Sequence, residues 1–204
     1  MFSCVDLSLE LQNRPIFQKI GFSLLPGSIH ILKGINGSGK TSLLKIMAGL
    51  LKPNMGEIFW NNKPIDHEYY YKHSISYLGH ENAIKANLSV IENLLLWADL
   101  KDNQLLVGPA IAHFALSEII DTKCKYLSAG WQRRVALARM IISNGKLWLL
   151  DEPEANLDEK GRELLLKLLQ VKINSGGMAI IASHNIEYYS KIPAINMSDF
   201  QYDL

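Results

Sequence analysis

Cysteine is scarce in this chain of 204 residues: Cys4 and Cys124 are the only two. Two isolated thiols supply no disulfide framework and no zinc-ligand spacing, so the expected compartment is a reducing one. No Cys-x-x-Cys-His occurs, which excludes haem attached covalently to the chain itself. Long apolar runs are lacking as well. Leu94-Leu-Leu-Trp-Ala98 is about the longest, far short of the ~18 residues that a membrane span requires, and it reads as core helix. The start, Met1-Phe-Ser-Cys-Val-Asp6, has neither the basic opening nor the apolar stretch of a signal peptide, so none is expected. Neither sign of charge is in excess, with 21 Lys and Arg against 20 Asp and Glu. That balance argues against bulk attraction to nucleic acid or anionic lipid, and no nucleic-acid partner is expected. The six histidines are scattered without metal-site spacing. What remains is an ordinary globular composition, 48% apolar and 20% charged, long enough for one full core. We expect a single domain over 1–204 with a helical insertion at about 83–140.

The most informative stretch that is present runs Gly34-Ile35-Asn36-Gly37-Ser38-Gly39-Lys40-Thr41, followed by Ser42. Its glycines permit a tight turn whose N–H groups point inward and bind an anion. Lys40 reaches the β- and γ-phosphates of a nucleoside triphosphate, and the Thr41 hydroxyl can ligate Mg²⁺. Ser28-Ile-His-Ile-Leu32 before it reads as a buried strand, and Ser42 to Leu51 after it has helix-forming composition. The phosphates would then sit at a helix N-terminus, where negative charge is favoured. Binding of ATP or GTP follows.

Elsewhere the periodicity changes along the chain. Val5 to Leu11 alternates apolar and polar with period two, as a half-buried strand does. Gly21 to Leu25, Pro26-Gly27 and Ser28 to Leu32 read as strand, turn, strand, and Gly56 to Ile65 as another hairpin about Asn61-Asn62. Ile75 to Leu78 is a further short strand. From about 83 to 140 the pattern is helical. Ser89 and Glu92 have capping-box spacing, and Pro109 opens a segment at 110–120. A third helical segment covers 129–142. Strands at 146–150 and 178–183 then alternate with a helix at 159–173, implying a mostly parallel sheet with ligands at the strand C-termini.

Asp151-Glu152 ends the hydrophobic run Leu147-Trp-Leu-Leu150. Paired acids at the tip of a buried strand suit a cation and a reacting group. Asp151 would hold Mg²⁺, and Glu152 would orient or deprotonate the attacking water. His184 follows the next strand, where an imidazole could bond the γ-phosphate and help position water. Leu127-Ser128-Ala129-Gly130 opens a helix with small residues and a hydroxyl, again a pattern suited to an anion.

Leu127-Ser128-Ala129-Gly130 resembles the signature loop of ABC-type ATPases. The order of elements matches across essentially the whole chain: phosphate loop, helical insertion, signature, Asp151-Glu152, the loop Asn156-Leu-Asp158, then His184. Within that family, several stretches resemble the ATP-binding subunits of the haem-associated exporter of cytochrome c maturation. They are Tyr77-Leu-Gly-His80, Ile84-Lys85, Leu88-Ser89, Glu92-Asn93-Leu94, Gln132 to Arg139 and Leu147 to Pro153. The resemblance implies a P-loop NTPase (RecA-like) core of α/β class with a mostly parallel sheet. An N-terminal antiparallel β-subdomain and an inserted α-helical subdomain complete the expected fold. It also implies ATP hydrolysis with Mg²⁺ in a head-to-tail homodimer, Ser128, Gly130 and Asp158 of one copy meeting the nucleotide of the other. Integral membrane subunits of the exporter, docked near residues 79–98, would convert the motion. The location implied is peripheral, on the cytoplasmic face of the bacterial inner membrane. Only twenty residues follow His184, so no regulatory domain is expected.

The chain departs from the family pattern in places. His80 stands where most members have Gln: it would either join Thr41 and Asp151 at Mg²⁺ by bonding a metal-bound water, or simply hydrogen-bond backbone. Ala129 replaces Gly in the signature, a small change, and Trp131 replaces Gln, where its ring would stack against nucleotide or pack under the helix. The place of the usual adenine-stacking aromatic falls near Leu11, with no aromatic closer than Phe17. The other readings are the ATP-binding subunit of another small ABC transporter and, from a different class, a P-loop kinase with a small acceptor. The signature loop and the Asp151-Glu152 pair argue against a kinase.

Overall fold

In a computed structural model the chain is described over residues 1–65, 69–190 and 192–201. It divides into two compact units, Met1–Tyr77 with Lys146–Glu152 and Lys172–Leu204, and Leu78–Gly145 with Pro153–Val171.

The first unit holds two sheets. Strands β1 (Phe2–Leu11), β2 (Arg14–Leu24), β4 (Met55–Trp60) and β5 (Lys63–Pro64) form an antiparallel sheet in the order β2-β1-β4-β5. Both of its hairpins turn on two residues with positive φ, Gln12-Asn13 and Asn61-Asn62, as the right-handed twist of paired strands requires. Alternation in β1 breaks at Asp6, whose φ is 52° and where the register with β4 shifts. Gly56 lies against that bulge. A Cβ on Gly56 would come within 2.5 Å of the Asp6 carbonyl, so a side chain is excluded there.

The second sheet has the order β6-β7-β8-β3-β9, from Ile75–Leu78, Leu147–Asp151, Met178–Ala182, Ile29–Lys33 and Ala194–Asn196. The pairs β7–β8, β8–β3 and β3–β9 are parallel. Every residue of β7 and β8 is buried. This explains their unbroken apolar runs, since a central parallel strand is covered on both faces. Helix α1 (Lys40–Met47) packs on β7 and β8, burying Leu43, Leu44 and Met47.

One expectation fails here. The segments at 21–25 and 28–32 are not a hairpin: β2 belongs to the first sheet and β3 to the second. Gly27, at φ 78°, donates its N–H to the Gly177 carbonyl rather than closing a β2–β3 turn. Helix α2 (Tyr69–Ser74) and the short edge strand β9 have no counterpart among the elements expected from the sequence.

The second unit is helical, with α3 (Val90–Lys101), α4 (Val107–His113), α5 (Ala129–Ser143) and most of α6 (Glu159–Asn174). The capping box of α3 is present in full: Ser89 accepts from the Glu92 N–H, and Glu92 accepts from the Ser89 N–H at 2.7 Å. Such a cap contributes about 1 kcal/mol. Asn93, one residue further on, is 2% exposed and holds the preceding loop. Its Oδ1 accepts from the Lys85 N–H at 2.7 Å, and its Nδ2 donates to the Lys85 and Ser89 carbonyls. Helix α4 ends at His113, short of the expected 120, because Ala115 takes a left-handed φ of 53° and breaks the ladder. Pro109 sits inside its first turn, where a missing N–H costs nothing.

Candidate functional site

The chain from Gly34 to Gly39 leaves the C-terminal end of β3 and enters α1. Gly37 and Gly39 have φ of 83° and 93°, conformations that L side chains avoid. Gly39 is the helix N-cap and supplies no side-chain cap, so the first N–H groups of α1 face outward for an anion. A Cβ at Gly34 would lie 2.4 Å from Ser38 Oγ, and one at Gly39 2.7 Å from Ile16 Cγ2. Close approach therefore requires glycine at both.

Lys40 is 7% exposed and donates from Nζ to the Gly34 carbonyl at 2.7 Å and the Ile35 carbonyl at 3.0 Å. The ammonium thus lies inside the loop it must serve. Ser38 is 2% exposed, and its Oγ has no hydrogen-bond partner among the described residues. A buried hydroxyl left unmade is costly, and a phosphate oxygen would satisfy it. These features fit a triphosphate. Ile35, Asn36 and Gly37 are exposed at the rim, and Ser42 is half-buried in the first turn of α1.

β7 brings the acids to the same unit. Asp151 is 3% exposed, and its Oδ2 accepts a 2.8 Å hydrogen bond from Thr41 Oγ1. A hydroxyl and a carboxylate so paired are hard oxygen donors. Mg²⁺ suits such a pair, because it binds through one or two carboxylates with waters and substrate phosphates. Among the described residues there is no group of three or more His, Cys, Asp and Glu side chains able to hold a metal ion by themselves. Tyr77 faces the same carboxylate; burial first and the Asp151 charge second push its phenol up to about 12.

Glu152 follows with a left-handed φ of 47°, rare for a residue with a Cβ. Its N–H donates to the Ala182 carbonyl at 2.8 Å, which ties it to the end of β8. Two residues beyond β8, His184 places Nδ1 3.0 Å from Glu152 Oε1. The His184 side chain is 60% exposed and that of Glu152 23%, so both ends of the pair are open to a reacting group. The carboxylate is held by a ring and the ring is aimed by the carboxylate. That arrangement can orient a water and move its proton.

Phe17 is fully buried in the core and lies against Gly39. Its ring is therefore closed to a base.

The second unit holds the remaining expected residues. Ser128 is the N-cap of α5 and accepts from the Trp131 N–H at 3.4 Å. Gly130 has no room for a side chain, since a Cβ would meet the Asn156 carbonyl at 2.8 Å. Asp158 Oδ1 accepts from Arg134 Nη2 at 2.5 Å and from the Gly161 N–H at 2.9 Å. The Arg134 hydrogen bond, and after it that from the Gly161 N–H, holds the Asp158 carboxyl below its usual range. The Arg134 guanidinium also stacks on the Trp131 ring, 4.7 Å from the centroid. Ser128, Gly130, Trp131, Arg134, Asn156 and Asp158 line one pocket of about 420 Å³. Trp131 thus packs on its own helix. His80 is exposed in the loop after β6.

Arg133, Arg134 and Arg139 are all buried in α5 and have no role among those expected from the sequence. The signal was available: three arginines interleaved with Val135, Ala136, Leu137 and Ala138 cannot all face water on one helix.

The ABC transporter family model matches residues 17–155. The cytochrome c biogenesis ATP-binding export protein of Rickettsia felis is 39% identical over 184 residues, covering 90% of this chain and 93% of that protein. The protein of the same name from Wolbachia pipientis is 40% identical over 186 residues, with 91% and 90% covered. Among solved structures, an ABC transporter ATP-binding protein assigned in Pyrococcus furiosus superposes with a TM-score of 0.84 at 29% identity. It covers 98% of this chain and 99% of its own.

Proposed function

Because the chain belongs to the ABC transporter family of ATPases, we propose that it is the ATP-hydrolysing subunit of an exporter in cytochrome c maturation. The observation that carries this reading is identity of 39–40% to cytochrome c biogenesis export proteins along nine-tenths of the chain. Family membership implies membrane partner subunits. Among the described residues no helix is long and apolar enough to cross a membrane, so attachment through such partners at the cytoplasmic face of the inner membrane is the reading we adopt.

In this account residues 34–42 hold the triphosphate of ATP, with Lys40 leaving the loop carbonyls for the phosphates. Thr41 and Asp151 hold Mg²⁺, with His80 proposed as a further ligand through a bound water. The ion would offset charge on the transferred phosphoryl group. Glu152 takes the proton of the attacking water, and His184 keeps that carboxylate oriented and bonds the γ-phosphate. Ser128, Gly130 and Asp158 cover the nucleotide of a second copy, so two ATP molecules are enclosed in a head-to-tail homodimer. Docking of membrane subunits near 79–98 converts opening and closure into work.

The test is complementation. In a bacterium lacking its own ATP-binding export subunit for cytochrome c biogenesis, the chain with its cognate membrane subunits should restore holocytochrome c. Lys40→Ala should not. Restoration by Lys40→Ala, or failure of the wild-type set to assemble and restore it, contradicts the proposal.

A further inference from the structure

Arg133 is 1% exposed, the largest side chain among the described residues to be so fully buried. A guanidinium taken out of water is costly unless its donors are paired. Here they reach two separate loops of the second unit. Nε donates to the Pro153 carbonyl at 3.3 Å. Nη1 donates to the Gly79 carbonyl at 3.2 Å and to Asn82 Oδ1 at 3.0 Å.

Each loop matters for a different reason. Pro153 is the residue after Glu152, and Glu152 holds a left-handed φ of 47°. A conformation of that kind in a non-glycine residue persists only when its surroundings over-determine it. Within the second unit, the carbonyl of the residue that follows Glu152 is fixed to Arg133. Gly79 and Asn82, the other acceptors, flank His80 on both sides. Arg139, two turns further along α5, donates to the Ala83 carbonyl at 3.1 Å and stacks 4.5 Å from the Trp97 centroid. Two buried arginines of one helix therefore grip the loop 79–83, and the first also grips the peptide that follows Glu152.

We infer that Arg133 is a positioning residue for hydrolysis: it holds the Glu152–Pro153 turn in its left-handed form and ties that turn to the His80 loop. The inference rests on the reading of Glu152 as the group that activates water. A displacement of the 79–83 loop, as when a partner docks there, has to be relayed to the Pro153 carbonyl or break a buried charged hydrogen bond. Neither arm depends on Arg133 touching nucleotide, so its loss should act on turnover and not on binding.

The experiment uses the full chain and compares wild type with Arg133→Met, Arg133→Lys, Asn82→Ala and Glu152→Gln. The measurements are kcat and KM for Mg-ATP, affinity for a fluorescent ATP analogue, and Tm. Misplacement of a catalytic group by about 1 Å costs on the order of 100-fold. We expect Arg133→Met to lower kcat about 10- to 100-fold with KM and analogue affinity within about twofold. Arg133→Lys should recover part of the loss, and Asn82→Ala should lower kcat only a few-fold. Wild-type kcat in a folded Arg133→Met, or a parallel loss of kcat, nucleotide affinity and Tm, overturns the inference. Should Arg133→Met fail to fold, Arg133→Lys and Asn82→Ala decide: wild-type kcat in both overturns it. Glu152→Gln separates the two levels. If that variant is inactive while the Arg133 variants turn over normally, only this inference fails. If it still hydrolyses ATP, the reading of Glu152 fails, and the inference with it.

Discussion

Thr41 Oγ1 donates a 2.8 Å hydrogen bond to Asp151 Oδ2, joining the start of α1 to the end of β7 across 110 residues of sequence. The bond places a hydroxyl and a carboxylate together at the mouth of the phosphate loop. If that pair holds Mg²⁺, Thr41→Val removes one ligand and leaves the shape almost unchanged. Hydrolysis should fall about 100-fold, near 2.7 kcal/mol of barrier, with a higher Mg²⁺ requirement. A magnesium titration of ATPase rate checks this, and an unchanged titration curve would count against Mg²⁺ at this pair.

His184 and Glu152 make the second long-range pair, 3.0 Å apart. Removing the ring leaves the carboxylate without its orienting partner. His184→Ala should lower kcat by about 10²- to 10⁴-fold while KM for ATP changes little. Steady-state kinetics would show the split; a rise in KM at constant kcat would mean that His184 only binds nucleotide.

Gly130 carries a purely steric prediction. A methyl there would sit 2.8 Å from the Asn156 carbonyl, a backbone atom that cannot swing aside. Gly130→Ala should therefore destabilise by about 1–3 kcal/mol, seen as a lower Tm, and should disturb the loop that presents Asp158. A melting curve identical to wild type would contradict the packing described.

Much of this was legible in the sequence for physical reasons. The Asp151 strand is apolar up to its carboxylate because a parallel sheet buries both faces, and the strand before the phosphate loop likewise buries Ile29, Ile31 and Leu32. The capping box at Ser89 and the glycines of the loop are local rules, and they are found as read. What could not be read depends on partners distant in the chain. Whether Gly21 to Leu32 was a hairpin turned on Gly27, which bonds Gly177 instead. The task of Arg133 needed Gly79, Asn82 and Pro153 in place around it. The strand at Ala194–Asn196 was missed because three residues with one apolar side chain between two small or polar ones give no period to detect.

Lys172 offers a test by pH. The residue is 7% exposed, its Nζ lies 4.8 Å from the Trp148 centroid, and burial lowers its pKa from 10.5 to about 8. The folded pKa is below the unfolded one, so between about pH 8 and 10.5 the unfolded state binds more protons. This residue's contribution therefore raises stability with pH across that window and is flat below it. Urea unfolding of wild type and Lys172→Met at several pH values should show the difference between them growing in favour of wild type above about pH 8. A difference independent of pH would mean that Lys172 is charged in both states throughout.

In the proposed head-to-tail homodimer one copy supplies Lys40, Asp151 and Glu152 while a second supplies Ser128, Gly130 and Asp158. Glu152→Gln should bind ATP without hydrolysing it, and so arrest the closed assembly. The direct measurement is size-exclusion chromatography with light scattering on that variant, with and without Mg-ATP. Twice the monomer mass with Mg-ATP, reverting to the monomer mass in Glu152→Gln that also carries Ser128→Arg, is the predicted result. Monomer alone, at saturating Mg-ATP that the variant demonstrably binds, would contradict it.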